Sequence, residues 1–190
     1  MKFAVVRIAV LAAVSLAWCG SAMAAPPTWA VDKAASKLGF KSTFSGEGFE
    51  GVFRRWESQI QFDPKDLAAS KAVITVDVAS ASTGDGSRDE AIPSDDWFAA
   101  RKFPQATFVT RSFKSLGGNR YEAVGDLTIR GISKPLVLPF TLAIAGDTAR
   151  MSSSVVLNRS AFGVGQGEFK SAETVPLNVT VDIALTAHKR

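Results

Sequence analysis

The sequence predicts an all-β protein, an antiparallel barrel of about eight strands with one short helix inserted. Three observations carry this. Apolar residues recur at every second position over long stretches, which is the period of a strand and not of a helix. The intervening positions are mostly polar, so each run has one wet face and one oily face, as in antiparallel sheets. Turn chemistry separates the runs, at Gly46–Gly48, Asp63-Pro64, Gly117-Gly118-Asn119, Gly131 and Gly146-Asp147. A meander of this length satisfies its edges best by closing on itself.

Leu38, Phe40, Ser42 and Phe44 open the pattern. Val52, Trp56, Ile60 and Phe62 extend it, with Arg54 as an interruption. Ala72, Ile74, Val76 and Val78 then alternate with Val73, Thr75, Asp77 and Ala79. Residues 88–104 (RDEAIPSDDWFAARKFP) do not alternate. Ser94 reads as an N-cap, Asp95 and Asp96 favour a first helical turn, and Pro104 is a stop, which predicts a helix over roughly 94–102. Alternation resumes with Tyr121, Ala123, Leu127 and Ile129. It continues through Leu136, Leu138, Phe140, Leu142 and Ile144, and then Met151, Val155 and Leu157. The last run is Val175, Leu177, Val179, Val181, Ile183 and Leu185.

The chain has 190 residues. Lys2 and Arg7 precede an apolar run from Ile8 to Trp18, and Ala22-Met23-Ala24 follows. This reads as a secretory signal peptide over 1–24, cut after Ala24. A lipid anchor on Cys19 is disfavoured by the bulk of Trp18. Residues 25–190 then form one domain, exported to the periplasm. Without Lys2 and Arg7 the formal charge falls from +4 to +2, too mild to indicate nucleic acid. A membrane barrel, apolar outside, is disfavoured by Lys41, Asp77, Arg130 and Asp182 on the opposite face.

Cys19 and His188 are the only cysteine and histidine. With no cysteine in the domain and its one histidine in what reads as a frayed C-terminal tail, Ser–His–Asp and Cys–His nucleophilic catalysis are not expected, nor zinc sites built on histidine or cysteine. Asp95 and Asp96, or Asp85, Asp89 and Glu90, could serve acid–base chemistry. They read better as a solvated helix start, so neither a catalytic nor a metal site is expected. The run Gly163-Val164-Gly165-Gln166-Gly167 lacks the spacing and the following helix of a phosphate loop.

Several pieces occur in an ordered series. They are Arg88-Asp89, Asp96-Trp97-Phe98, Phe103-Pro104 with Phe108, Gly125-Asp126-Leu127-Thr128-Ile129-Arg130-Gly131, Lys134-Pro135, and Asn158-Arg159-Ser160-Ala161-Phe162-Gly163. In this series, over about 28–187, the chain resembles the YceI-like family of periplasmic lipid-binding proteins. The resemblance implies a lipocalin-like barrel holding a polyisoprenoid or an isoprenoid quinone, with no other cofactor. Trp56, Pro139-Phe140 and the Gly163–Gly167 run look like a subgroup associated with membrane b-type cytochromes. An alternative role follows from that: a periplasmic interaction module of such a redox system, without a ligand of its own. Transient contact with a membrane or a membrane cytochrome, and a homodimer, stay open. Ala35 and Ala91 stand where many relatives carry histidine, so headgroup contacts must differ.

Period two alone allows either a packed interior or a ligand cavity; the resemblance implies the cavity. The candidate lumen residues in the first runs are Phe40, Phe44, Trp56, Ile74 and Val76. Trp97, Phe98 and Phe108 would gate the lumen or seal a barrel end. Leu127, Ile129, Leu138, Phe140 and Leu142 come from the central hairpin, and Val155, Leu157, Phe162, Val179 and Val181 from the last part of the chain. Arg88, Asp89 and Arg159 would either grip a headgroup or fix loops.

Overall fold

The computed structural model describes residues 25–190, so the signal-peptide and Cys19 readings lie outside the described residues. Eleven strand segments form one sheet, and every pairing in it is antiparallel. β1 (Thr28–Val31) and β2 (Lys37–Phe44) are two halves of one long strand. Both pair with the last strand, β11 (Asn178–Lys189). β3 (Glu47–Phe53) and β4 (Trp56–Gln61) are the halves of the next, paired with β2 and β1 respectively. β5 (Lys71–Asp77) and β6 (Ala81–Ser82) form the third, broken by a tight turn at Val78–Ser80. β7 (Gln105–Ser115), β8 (Arg120–Ile129), β9 (Ile132–Ala145) and β10 (Thr148–Asn158) follow as a meander. The β1–β11 pairing closes the ring into an eight-stranded barrel.

The helix lies elsewhere than the sequence suggests. α1 is Gly86–Ala91, and its cap is Asp85, whose side chain accepts from the Arg88 N–H. Residues 94–102 form successive turns. Ala99 has φ +48°, which a right-handed helix does not tolerate. The turns let two consecutive aromatics, Trp97 and Phe98, both reach the lumen. Neighbouring residues on a helix point about 100° apart and would not. Val78, Val175 and Leu177 also lie outside strands; Val78 and Val175 are buried in the connections.

β7 was hidden by its own irregularity. Ala106, Phe108 and Thr110 face inward, but a bulge between Thr110 and Ser112 shifts the parity, so the next inward ring is Phe113.

The packed core fills one end of the barrel. Phe62 meets Phe113 at 5.1 Å, Tyr121 at 5.8 Å and Phe140 at 6.3 Å, all edge-on. Tyr121 stacks on Phe140 at 5.5 Å. Such pairs add about 0.5–1.5 kcal/mol each beyond area burial. Trp29 joins the cluster and donates its indole N–H to the Phe62 carbonyl at 2.9 Å. Charged residues occupy the outer face: Lys41 sits 3.1 Å from Asp182 and 3.5 Å from Glu50, and Arg55 2.8 Å from Asp77.

Candidate functional site: an apolar lumen under a latched roof

Above the aromatic plug the barrel is hollow. The cavity measures about 680 Å³, within the ~300–1,000 Å³ typical of small-molecule sites. Its walls are the inward positions of every long strand. All eighteen sequence-derived candidates line it. Phe40, Phe44, Trp56, Ile74, Val76 and Phe108 form one side. Leu127, Ile129, Leu138, Phe140 and Leu142 form the middle, and Val155, Leu157, Val179 and Val181 the other side. Trp97, Phe98 and Phe162 lie in the roof. Phe49, Phe53, Val164 and Phe169, outside the sequence-derived set, also face the cavity. Phe53 had an alternation signal, one strand position from Val52 but on the opposite parity. Phe169 sits in a loop and had none.

Two connections make the roof, residues 83–104 and 159–177. The Asn158–Gly163 motif folds the second of them. The Asn158 side chain accepts from the Ser160 N–H, and Gly163 ends the turn at φ +67°. That aims Arg159 into the roof, where it is 5% exposed. Its guanidinium donates to the carbonyls of Val164, Ser171, Val175 and Pro176 at 2.7–3.0 Å. Gly165 is required there, since a Cβ would fall 1.9 Å from Arg159 Nη1. The guanidinium also lies 5.3 Å from the Trp97 ring centre. Burial pushes the Arg159 pKa down, and the carbonyls and the ring face hold the charge in place.

The two halves of the roof are latched together. Trp97 packs on Phe169 at 4.9 Å, and the Gln166 N–H donates to the Asp96 carbonyl at 2.7 Å. From below, Arg130 donates to the carbonyls of Asp95 and Trp97. Arg130 and Gly131, both at positive φ, form the two-residue turn between β8 and β9. The Ser45 N–H, at the tip of the β2–β3 hairpin, donates to the Thr174 carbonyl at 2.8 Å.

The cavity reaches solvent beside that hairpin. Phe44 is 41% exposed there, and Asp85, Ser87 and Arg88 of the capped helix line the same opening. Arg88 lies 3.6 Å from the Asp85 carboxylate and 5.1 Å from the Phe49 ring centre. Asp89 points away and fixes the loop. It accepts from the Thr83 N–H and hydroxyl and from the Ser82 hydroxyl at 2.6–2.9 Å. Burial raises its pKa, but these hydrogen bonds outweigh burial and hold the carboxyl below its ordinary value. Asp95, Asp96 and Glu90 are exposed and do not converge on the cavity. Among the described residues no cluster of side chains is suited to a metal ion.

Two buried polar atoms in the lining have no protein partner, Ser42 Oγ and Trp97 Nε1. Ala91 lies on the cavity wall, whereas Ala35 is exposed in the break between β1 and β2.

Known proteins share this architecture. A model of the YceI-like domain matches residues 29–187. The chain belongs to that family. A UPF0312 protein of Pseudomonas syringae pv. tomato is 31% identical over 172 residues, 86% of this chain and 88% of that protein. The crystal structure of BcnA from Burkholderia cenocepacia has a TM-score of 0.79 and 37% identity, covering 82% of this chain and 98% of that one. A polyisoprenoid binding domain from Saccharophagus degradans, implicated in plant cell wall breakdown, has a TM-score of 0.68 over 86% of this YceI-like chain and 99% of its own. Its identity is 14%, so that likeness is one of fold.

Proposed function

We propose that this YceI-like protein is a carrier that sequesters a long isoprenoid lipid in its lumen, and that it works in the periplasm after removal of residues 1–24. The observation that carries this reading is the hollow of about 680 Å³ whose wall is almost wholly hydrocarbon. The polyisoprenoid binding domain with the same fold supports it. Each methylene moved from water into such a lumen contributes about 0.8 kcal/mol. An apolar wall discriminates one methylene only weakly, so selection acts on length and branching. The carboxylate on the lining, Asp85, caps α1 and faces Arg88, which supports binding over catalysis.

The lining also favours a neutral headgroup such as a quinone ring over a phosphate. The charged residues on it are Asp85, Arg88 and Arg159. Arg159 is committed to four carbonyls and Arg88 faces Asp85. Among the described residues of the lining no cation is left free to neutralise a phosphate. Trp97 Nε1–H and the Ser42 hydroxyl, both unpartnered, suit a carbonyl or hydroxyl oxygen.

Native mass spectrometry of the protein from its own host, followed by organic extraction, tests this. A stoichiometric neutral isoprenoid is expected. An apo mass that persists after incubation with isoprenoids overturns the carrier and turns attention to an interaction module of a membrane redox system. A bound polyprenyl phosphate overturns the neutral headgroup alone.

A further inference from the structure

The barrel has an unzipped seam. β9 pairs with β8 over ten residues, and β10 with β11 over eleven. β9 and β10 pair over only five, Ala145↔Thr148 to Thr141↔Ser152, next to their shared turn. Beyond that point both strands continue, yet the ladder between them stops.

The stretch ISKPLVLPF explains why. The Pro139 carbonyl faces β10, because it accepts from the Ser153 hydroxyl at 2.6 Å. Backbone groups alternate sides along a strand, so position 135 faces β10 as well. Both of these positions are proline, which has no N–H to donate. Two donors that would extend the ladder are therefore absent from the β10 edge of β9. The gap runs from the Ser153–Pro139 clasp up to Ile132, which the turn at Gly163 approaches.

The seam is apolar on both sides. Leu136, Leu138, Val155 and Leu157 face the lumen. Outside, Val137 is 49% exposed and Val156 58%. The register of the hairpin, carried forward, sets these two opposite each other. Exposed apolar residues flanking an interrupted ladder are a liability unless they serve passage or contact. The barrel end offers a harder route. It is covered by the latched roof, and its opening is rimmed by the Asp85–Arg88 pair.

We propose that the β9–β10 seam is a lateral portal through which the apolar chain of the lipid passes between a membrane and the lumen. This inference rests on the lumen being a lipid site. The portal opens by parting Ser153 from Pro139 and spreading two strands that share few hydrogen bonds, while the roof and the aromatic plug stay in place.

The test is a crosslink across the seam, Val137→Cys/Val156→Cys in a Cys19→Ala background. A control pair, Glu57→Cys/Thr75→Cys, spans the zipped β4–β5 ladder. The probe is a short-tailed ubiquinone delivered from phosphatidylcholine vesicles. Uptake is followed by quenching of Trp29, Trp56 and Trp97, which line the cavity. Oxidation is expected to slow uptake by the seam pair roughly tenfold or more, as for a closed gate, and to leave the control pair unchanged. Uptake by the oxidised seam pair at its reduced rate overturns the portal and leaves the lumen reading standing. No uptake by the reduced pair and the wild-type protein alike overturns the lumen reading and the portal together. Pro135→Thr/Pro139→Thr provides a second, cysteine-free test by restoring both N–H donors. Slower entry with newly protected seam amides in hydrogen exchange supports the portal, and unchanged entry with those amides protected overturns it.

Discussion

At one end of the barrel Phe62 and Phe140 each meet Phe113 edge to face, Phe62 meets Tyr121 in the same way, and Tyr121 stacks on Phe140. At the other end Phe40, Leu127, Leu157 and Val179 face each other across open space under a roof of loops. The strands are the same and so is the period-two code that built them. The difference lies in ring size at matched levels and in what covers the end. Contacts among side chains hold the plugged end together. The hollow end depends on polar clasps in its roof, because its wall residues have fewer neighbours to bury against.

The largest expected effect is at the plug. Phe62→Ala should cost about 3–5 kcal/mol, the usual loss for a large aromatic in a packed core, read as a shift in denaturant midpoint. A loss below about 1 kcal/mol would mean that the plug is not what holds the barrel closed. Next comes the roof. Arg159→Met takes the donor from four carbonyls, those of Val164 and Val175 buried, and should cost roughly 2–4 kcal/mol. Arg159→Lys should not rescue it, since one ammonium cannot reach four acceptors spread over the guanidinium plane. Loss of the near-ultraviolet dichroism of Trp97 should accompany both changes.

Enlarging a side chain should divide the two ends more sharply. Ala123→Phe, in the plug, should cost about 1–3 kcal/mol by overpacking. Val179→Phe, in the hollow, should cost less than about 1 kcal/mol while reducing the amount of isoprenoid bound. Equal costs would mean that the hollow is not open in solution. The smallest effect concerns acid. The Asp89 carboxyl has a folded pKa below its unfolded value. Its contribution is therefore present above the unfolded pKa and is lost as pH falls through the folded one. Asp89→Asn should flatten the pH dependence of roof stability below about pH 4, measured by Trp97 fluorescence, and leave the plug unaffected.

The wall was legible in the sequence because period two maps directly onto inside and outside. Phe40, Ile74, Leu127 and Val181 needed nothing more. The roof was not, because its shape comes from contacts between distant segments. Asp85 took the cap that Ser94 seemed to offer, and Ala99 adopted a left-handed conformation so that Trp97 and Phe98 could both point inward. β7 escaped because one bulge reversed its parity. Hollow or packed was equally illegible: the alternation that places Phe140 inside gives no hint that Phe62 will meet it while Val179 faces the open lumen.

The aromatic plug has a bearing on how such a protein changes over generations. Because packing holds one end of the barrel and loop clasps close the other, substitutions among the wall residues of the hollow end escape most of the penalty that a packed core imposes. The lining can drift, and cargo can be exchanged, while the molecule still folds. The same separation offers an engineer a scaffold whose interior can be rewritten above Trp56 without renegotiating its foundation.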